Sequence, residues 1–269
     1  MMARKFIEAA AATDPGKVRQ YNEDCLALDP ELGVVVVADG MGGHRAGEVA
    51  SAMAAQIVLT GLRQRLPELR PSASPHSPLL AVEESINQAN LAIWEAGKAH
   101  SGQDGMGTTL ALALFHDNRI VIGHIGDSRV YRLRGGKVQL MTRDDSLLRD
   151  EVEAGLISMA DAGKSHNRSL VTQALGAAER VPVHVRQVDA VPGDILLLCS
   201  DGLTDLVEDA DIELILQEVR ANVPLAAQLL VQTAKDNGGY DNITAVVVRV
   251  RKPFPAARAW QRLLFGWQH

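Results

Sequence analysis

The run Val34-Val35-Val36-Val37-Ala38 is apolar without a break and reads as a fully buried strand, ending at Asp39-Gly40. Residues 46–66 are rich in Ala, Leu, Met and Gln with few breakers, and predict a helix. Residues 67–78 hold four prolines and three serines and predict a loop. Residues 80–99 return to a helical period, with Val82, Ile86, Ala89 and Ile93 on one face. The period then changes. Residues 109–115, 119–125 and 129–133 read as strands bounded by Gly, Asn or Asp. Gly135-Gly136 predicts a hairpin joining residues 130–133 to 138–141. Residues 146–171 are polar and irregular, with helical pieces at most. Residues 194–199 predict another strand, 209–219 and 224–235 helices, and 244–250 a last strand. This order lacks a regular βαβ alternation. It predicts an α+β layered domain with mostly antiparallel pairing rather than a doubly wound parallel sheet.

Composition narrows the picture. The chain has 269 residues, 46% of them apolar, and no internal repeat, which suits one large domain or two small ones. Aromatic residues make up 4%, so the core is expected to be aliphatic. The net charge of −6 does not fit a nucleic-acid partner held by bulk charge. Cys25 and Cys199, with no CxxC pair, are expected to be structural thiols. The first twelve residues carry Arg4, Lys5 and Glu8 and lack the apolar centre of a secretory signal; no stretch reaches transmembrane length, so the expected compartment is the cytoplasm.

The candidate chemistry is acidic. Glu23-Asp24, Asp39-Gly40, Ser200-Asp201-Gly202 and Asp241-Asn242 are scattered over the sequence, and three of the four sit at or beside the end of an apolar run. Asp is rarely buried without a partner. Acids at strand ends are therefore turn residues or ligands, and four of them together favour a site. Converging carboxylates bind hard cations, because each oxygen replaces a water of the hydration shell. Arg19, four residues before Glu23, is an ordinary surface cation or, beside such a centre, a fork for two phosphate oxygens. The glycines of Asp39-Gly40-Met41-Gly42-Gly43-His44 permit close approach and free a carbonyl for a cation.

These segments, in this order, resemble the metal-dependent serine/threonine protein phosphatases of type 2C in their compact bacterial form. The resemblance rests on Thr13-Asp14-x-Gly16-x-x-Arg19-x-x-Asn22-Glu23-Asp24, Val37 to His44, Gly105-Met106-Gly107-Thr108-Thr109 and Gly126-Asp127-Ser128-Arg129. Cys199 to Asp205 and Gly238-Gly239-Tyr240-Asp241-Asn242-Ile243-Thr244 complete it. It implies a four-layer α-β-β-α sandwich with two mostly antiparallel sheets flanked by helix pairs, over residues 1–252. It implies two Mn²⁺ or Mg²⁺ ions and, at a weaker site, a third. Asp39 would bridge two ions. Asp201 and Asp241 would complete the shell of the first, and Glu23 and the Gly40 carbonyl would bind the second. Asp24 would act directly or through water, and Asp127 would pair with Asp201 at the third. Asn242 would support these ligands. Arg19 would hold the substrate phosphate. His44 would be the general acid, with a helix-start residue as its bland alternative. All-oxygen ligands favour Mg²⁺ or Mn²⁺ over Zn²⁺, and paired ions make water a nucleophile near neutral pH. The expected function is hydrolysis of phosphoserine and phosphothreonine in proteins, opposing a bacterial serine/threonine kinase. The rivals are a catalytically silent phosphoprotein-binding module and a hydrolase of small phosphate esters.

Two segments depart from the pattern. Bacterial members usually carry His where this chain has Asp145, at the opening of the flap, residues 146–176. An acid there is expected to add negative charge beside the site and alter metal occupancy. Residues 253–269 form a basic aromatic tail with Phe254, Trp260, Phe265 and Trp267. It reads either as packed on its own domain or as docking to a membrane or partner protein.

Overall fold

The computed structural model describes residues 6–42, 45–68, 77–99, 105–158 and 170–254. Among these, the strands form two sheets. The five-stranded sheet runs β1 (Ile7–Asp14), β11 (Ile243–Val250), β10 (Ile195–Cys199), β7 (Arg129–Arg134), β8 (Lys137–Leu140). The other runs β2 (Asp24–Asp29), β3 (Val34–Met41), β5 (Leu110–His116), β6 (Arg119–Ile125), β9 (His184–Asp189), and a short β4 (Gly107–Thr108) pairs with the end of β3. Every pairing is antiparallel.

Helices α1 (Ala46–Arg65) and α2 (Ser77–Ala99) cover the outer face of the six-stranded sheet. A short α3 (Leu147–Glu153) lies in the flap, and α4 (Asp201–Thr204) directly follows β10. Helices α5 (Asp209–Glu218) and α6 (Val223–Asp236) cover the five-stranded sheet. The result is the expected four-layer α-β-β-α sandwich.

The layering explains the unbroken apolar runs. Successive side chains of a strand point to opposite faces. On β3, Val34, Val36 and Ala38 pack under α1 and α2, while Val35 and Val37 enter the core between the sheets. On β10, Leu196 and Leu198 face that central core, and Ile195, Leu197 and Cys199 face α5 and α6. Both faces of the inner strands are dry, so polar alternation is lost. The peripheral strands read differently. β1 is alanine-rich, and β9 (His-Val-Arg-Gln-Val-Asp) has exposed or half-buried positions throughout. Neither is predicted by its pattern. Both form because their backbones complete a ladder, β1 along eight residues of β11.

Phe254, assigned by sequence to the tail, is buried in the central core, stacked on Phe6 with ring centroids 4.7 Å apart. Its backbone N–H donates to Asn118 Oδ1 at 2.6 Å. The packed chain therefore continues at least to Phe254. The rest of the tail, with Trp260, Phe265 and Trp267, lies outside the described residues. Among the described residues, no helix is long and apolar enough to cross a membrane.

Candidate active site

The antiparallel registers bring the predicted acids to one end of the sandwich. Cys199, the last residue of β10, pairs with Arg129 at the start of β7 and with Ala245 near the start of β11. That register sets Asp201, Asp127 and Asp241, each just beyond a strand end, at the same end of this sheet. At the same end of the other sheet, Asp24 opens β2 directly opposite Asp39 near the end of β3. Hydrogen bonds then staple the two sheets together at this rim. Ser200 Oγ donates to Asp24 Oδ2 at 2.8 Å, Glu23 N–H donates to Asn242 Oδ1 at 2.7 Å, and the Thr109 and Ser128 hydroxyls lie 2.7 Å apart.

Each acid is locally fixed. The backbone of Asp39 is gripped by two threonines: its N–H donates to Thr109 Oγ1 at 3.1 Å, and its carbonyl accepts from Thr108 Oγ1 at 2.8 Å. Gly40 is tightly enclosed, since a Cβ there would stand 2.0 Å from the Gly47 carbonyl oxygen and 2.7 Å from that of Glu23. Only glycine lets the chain pass beneath the start of α1 at this point. Asn242 places the Glu23 segment, because its Nδ2 donates to the Pro15 and Tyr21 carbonyls at 3.1 and 2.9 Å while its Oδ1 holds Glu23. Arg19 Nη2 donates to Asp241 Oδ2 at 2.8 Å, and its side chain remains 54% exposed.

The electrostatics are those of acids crowded away from water. Burial pushes Asp24 up to about 7, with the nearby Asp201 and Asp241 charges adding to the shift. Burial holds Asp39 well above the carboxylate range, reinforced by Asp24 and Asp201. Asp201 rises to about 6 through burial, and its hydrogen bond with Asp39 works in the opposite direction. Two carboxyl groups bond to each other only by sharing a proton. Asp127, 7% exposed, is raised by burial and by Asp201. Burial also raises Glu23, against the pull of Arg19.

The donor set fits a hard cation. Asp24 Oδ1 and Asp201 Oδ1 are buried and accept no hydrogen bond. A buried polar atom without a partner is costly, and a divalent ion supplies the missing positive charge to oxygen ligands. Among the described residues, no three His, Cys, Asp or Glu side chains form a ready-made cage as they stand. Asp39 and Asp201 are within hydrogen-bonding reach of each other, and the charges of Asp24 and Asp127 bear on Asp39 as well. A cleft of about 440 Å³ opens beside them, walled by Asp127, Asp201, Arg129, Asp144, Thr204 and Leu148.

The structure thus brings together Glu23, Asp24, Asp39, Gly40, Asp127, Asp201, Asp241 and Asn242, with Arg19 at the edge. His44 and Gly43 lie outside the described residues. Sequence reasoning gave no role to Ser200, Thr108 or Thr109. Each lies inside a quoted motif, adjacent to or bonded to an acid of the centre, and that adjacency was their signal. Asp145 is 4% exposed, and its two oxygens engage Gly126 N–H and His184 Nε2.

A sandwich of two antiparallel sheets with a buried all-oxygen acid centre and an arginine at its rim defines a metal-using phosphohydrolase class. Comparison with known proteins is more specific: the chain belongs to the protein phosphatase 2C family, whose sequence profile matches residues 17–247. The serine/threonine phosphatase stp of Listeria innocua is 34% identical over 252 residues, covering 90% of this chain and 95% of that one. The crystal structure of the Mycobacterium tuberculosis serine/threonine phosphatase PstP/Ppp superposes with a TM-score of 0.80 at 37% identity, over 91% of this chain and 99% of that one. The PstP catalytic domain in complex with two manganese ions gives a TM-score of 0.76 at 36% identity, over 91% and 99% of the two chains. These findings bear out the expected family, the sandwich fold and the protein phosphatase class. They also support dependence on Mn²⁺ or Mg²⁺.

Proposed function

We propose that this protein removes phosphate from phosphoserine and phosphothreonine in protein substrates, using water activated at the acid centre. The observation that carries the reading is the pair of buried, unpartnered carboxylate oxygens of Asp24 and Asp201 beside Asp39. Glu23, Asp39, the Gly40 carbonyl, Asp201 and Asp241 would hold two Mn²⁺ or Mg²⁺ ions. Asp24 would bind directly or through water, and Asp127 with Asp201 would hold a third. Bound there, the ions would supply a nucleophilic water near neutral pH and draw off charge from the phosphoryl oxygens.

The chain's own residues do the positioning. One Arg19 nitrogen is committed to Asp241, which aims the guanidinium and leaves its other donors for phosphate oxygens. Ser200 and the two threonines hold Asp24 and Asp39 against their neighbours, so little reorganisation is needed as charge develops. His44 is assigned the proton for the leaving serine or threonine oxygen. The phosphatase domain would run through Phe254, which is packed in the central core, with the flap over 146–176; residues 255–269 carry the remainder of the basic aromatic tail. In this reading the protein acts in the cytoplasm, in signalling that opposes a serine/threonine kinase. The names of its relatives support the substrate class.

The test compares kcat/KM with Mn²⁺ for a phosphothreonine peptide and for p-nitrophenyl phosphate. A protein phosphatase prefers the peptide. Equal or better use of the small ester moves the assignment to metabolite hydrolysis, and no turnover of either moves it to a binding module.

A further inference from the structure

Asp145 holds three parts of the molecule at once. Its Oδ2 accepts from Gly126 N–H at 3.0 Å, and its own N–H donates to the Gly126 carbonyl at 2.9 Å. Both backbone groups of the residue before Asp127 are therefore tied to this one side chain and its peptide. Gly126 has φ +91°, and a Cβ there would stand 2.7 Å from Thr109 Cγ2, so the turn has little room to settle elsewhere. The Asp145 carbonyl accepts from Thr172 N–H at 2.8 Å, and Leu147 N–H donates to the Leu170 carbonyl at 2.8 Å. These bonds close the two ends of the flap on each other. Finally, Asp145 Oδ1 lies 3.0 Å from His184 Nε2 on β9. The His184 ring stacks on His124, its cross-strand partner on β6, with centroids 4.8 Å apart.

We propose that Asp145 is the positioning residue for Asp127. It fixes the Gly126–Asp127 turn to the flap root and to β9, and so sets where the Asp127 carboxylate stands beside Asp201. His184, at 3.0 Å, and more loosely the Arg143 guanidinium, at 3.7 Å, hold the second carboxylate oxygen so that the first stays on Gly126. The inference rests on the reading of Asp127 as an ion-facing acid. It gives Asp145 a different task from adding negative charge to the centre. It also couples the flap root to the Asp127 side of the acid centre, while the Thr108–Leu175 backbone pair ties the far end of the flap to the Asp39 side.

The test uses the full chain and Mn²⁺ alone as the probe, with Asp145→Ala, Asp145→Asn and His184→Ala. Calorimetric titration gives the number and affinity of bound ions, and amide exchange reads the Gly126 and Thr172 N–H groups. Asp127→Ala first identifies the ion concerned. Asp145→Ala is expected to weaken that same ion about tenfold, the usual effect of removing a partner that orients a ligand, and to speed exchange at both amides. Asp145→Asn, which still offers an oxygen to Gly126, should restore most of the affinity. His184→Ala, at a half-exposed position on β9, should weaken the same ion by a smaller factor than Asp145→Ala. The inference is overturned if Asp145→Ala binds Mn²⁺ as the wild type does, or weakens a different ion. If Asp145→Ala fails to fold, His184→Ala decides: wild-type affinity and wild-type exchange at Gly126 and Thr172 overturn the inference. None of these readouts needs turnover, so an inactive wild type would sink the phosphatase reading while the titrations still decide this one.

Discussion

Asp24 and Asp39 stand directly opposite each other across β2 and β3, two half-buried acids in one register pair. Like charges facing across a ladder destabilise it. Burial adds to this by raising Asp24 to about 7 and Asp39 well above the usual range. The arrangement makes sense where a cation takes the place of the protons.

One consequence is a reversal of pH dependence on adding metal. With a chelator present, these acids bind protons more tightly in the folded chain than in the unfolded one, where Asp titrates near about 3.9. Their contribution to stability is full below that value and is lost as pH rises through the folded values. The chelated protein should therefore lose stability between about pH 4 and pH 7, by up to about 1.4 kcal/mol per unit of raised pKa. Saturating Mn²⁺ competes with the protons and should reverse the slope. Thermal melts across this range, with chelator and with Mn²⁺, check it. Parallel curves would contradict the placement of cations at these acids.

Arg19 and Asp241 form the second pair to test. Arg19→Ala should lower kcat/KM on a phosphothreonine peptide about 10²-fold, the scale of losing one transition-state donor. Arg19→Lys should recover little, because an ammonium cannot bond Asp241 and two phosphate oxygens in one plane. Stability should barely change in either, since the side chain is more than half exposed. Steady-state kinetics with urea unfolding would separate the two effects.

Asn242→Ala removes three hydrogen bonds at once and leaves Glu23 N–H and the Pro15 and Tyr21 carbonyls without their partner. The expected destabilisation is about 2 to 4 kcal/mol, read from urea unfolding. Released from Asn242, Glu23 should also raise the Mn²⁺ concentration needed for half-maximal activity. A fully stable variant with wild-type metal response would remove Asn242 from the account.

Gly40→Ala should be harsher than its one added methyl suggests. The new carbon would meet the backbone carbonyls of Gly47 and Glu23, which cannot rotate away. A loss of about 3 kcal/mol, the upper end for overpacking, is expected in urea unfolding. The start of α1 and the acid centre should shift together. An unperturbed midpoint would mean that the approach of β3 to α1 is looser than described.

The inner strands β3, β5, β6, β10 and β11 were legible because two apolar layers bury both of their faces, which leaves a continuous signal. Of the outer strands, β8 was legible through its Gly135-Gly136 hairpin turn, whereas β1, β2 and β9 were not. In β1, alanines carry little β propensity, and in β9 His184, Arg186 and Gln187 reflect partial exposure. Their membership depends on a partner strand distant in sequence, which no local pattern encodes. The acids of the site were legible as motifs because strand ends demand Gly and Asp there. Their pairing was not, since Arg19 and Asp241 are separated by 222 positions. Asp145 shows the opposite failure. Its charge was visible, but its burial beneath Gly126 and His184 required the structure.

The most direct test of the account is hydrolysis of a phosphothreonine peptide by the full chain, with Mn²⁺ and with chelator, alongside Asp39→Asn. The account predicts turnover that requires metal and that falls about 10³-fold or more in the variant, a loss of about 4 kcal/mol in transition-state stabilisation. A wild type that is inactive at saturating Mn²⁺, or an Asp39→Asn protein that turns over at the wild-type rate, would contradict it.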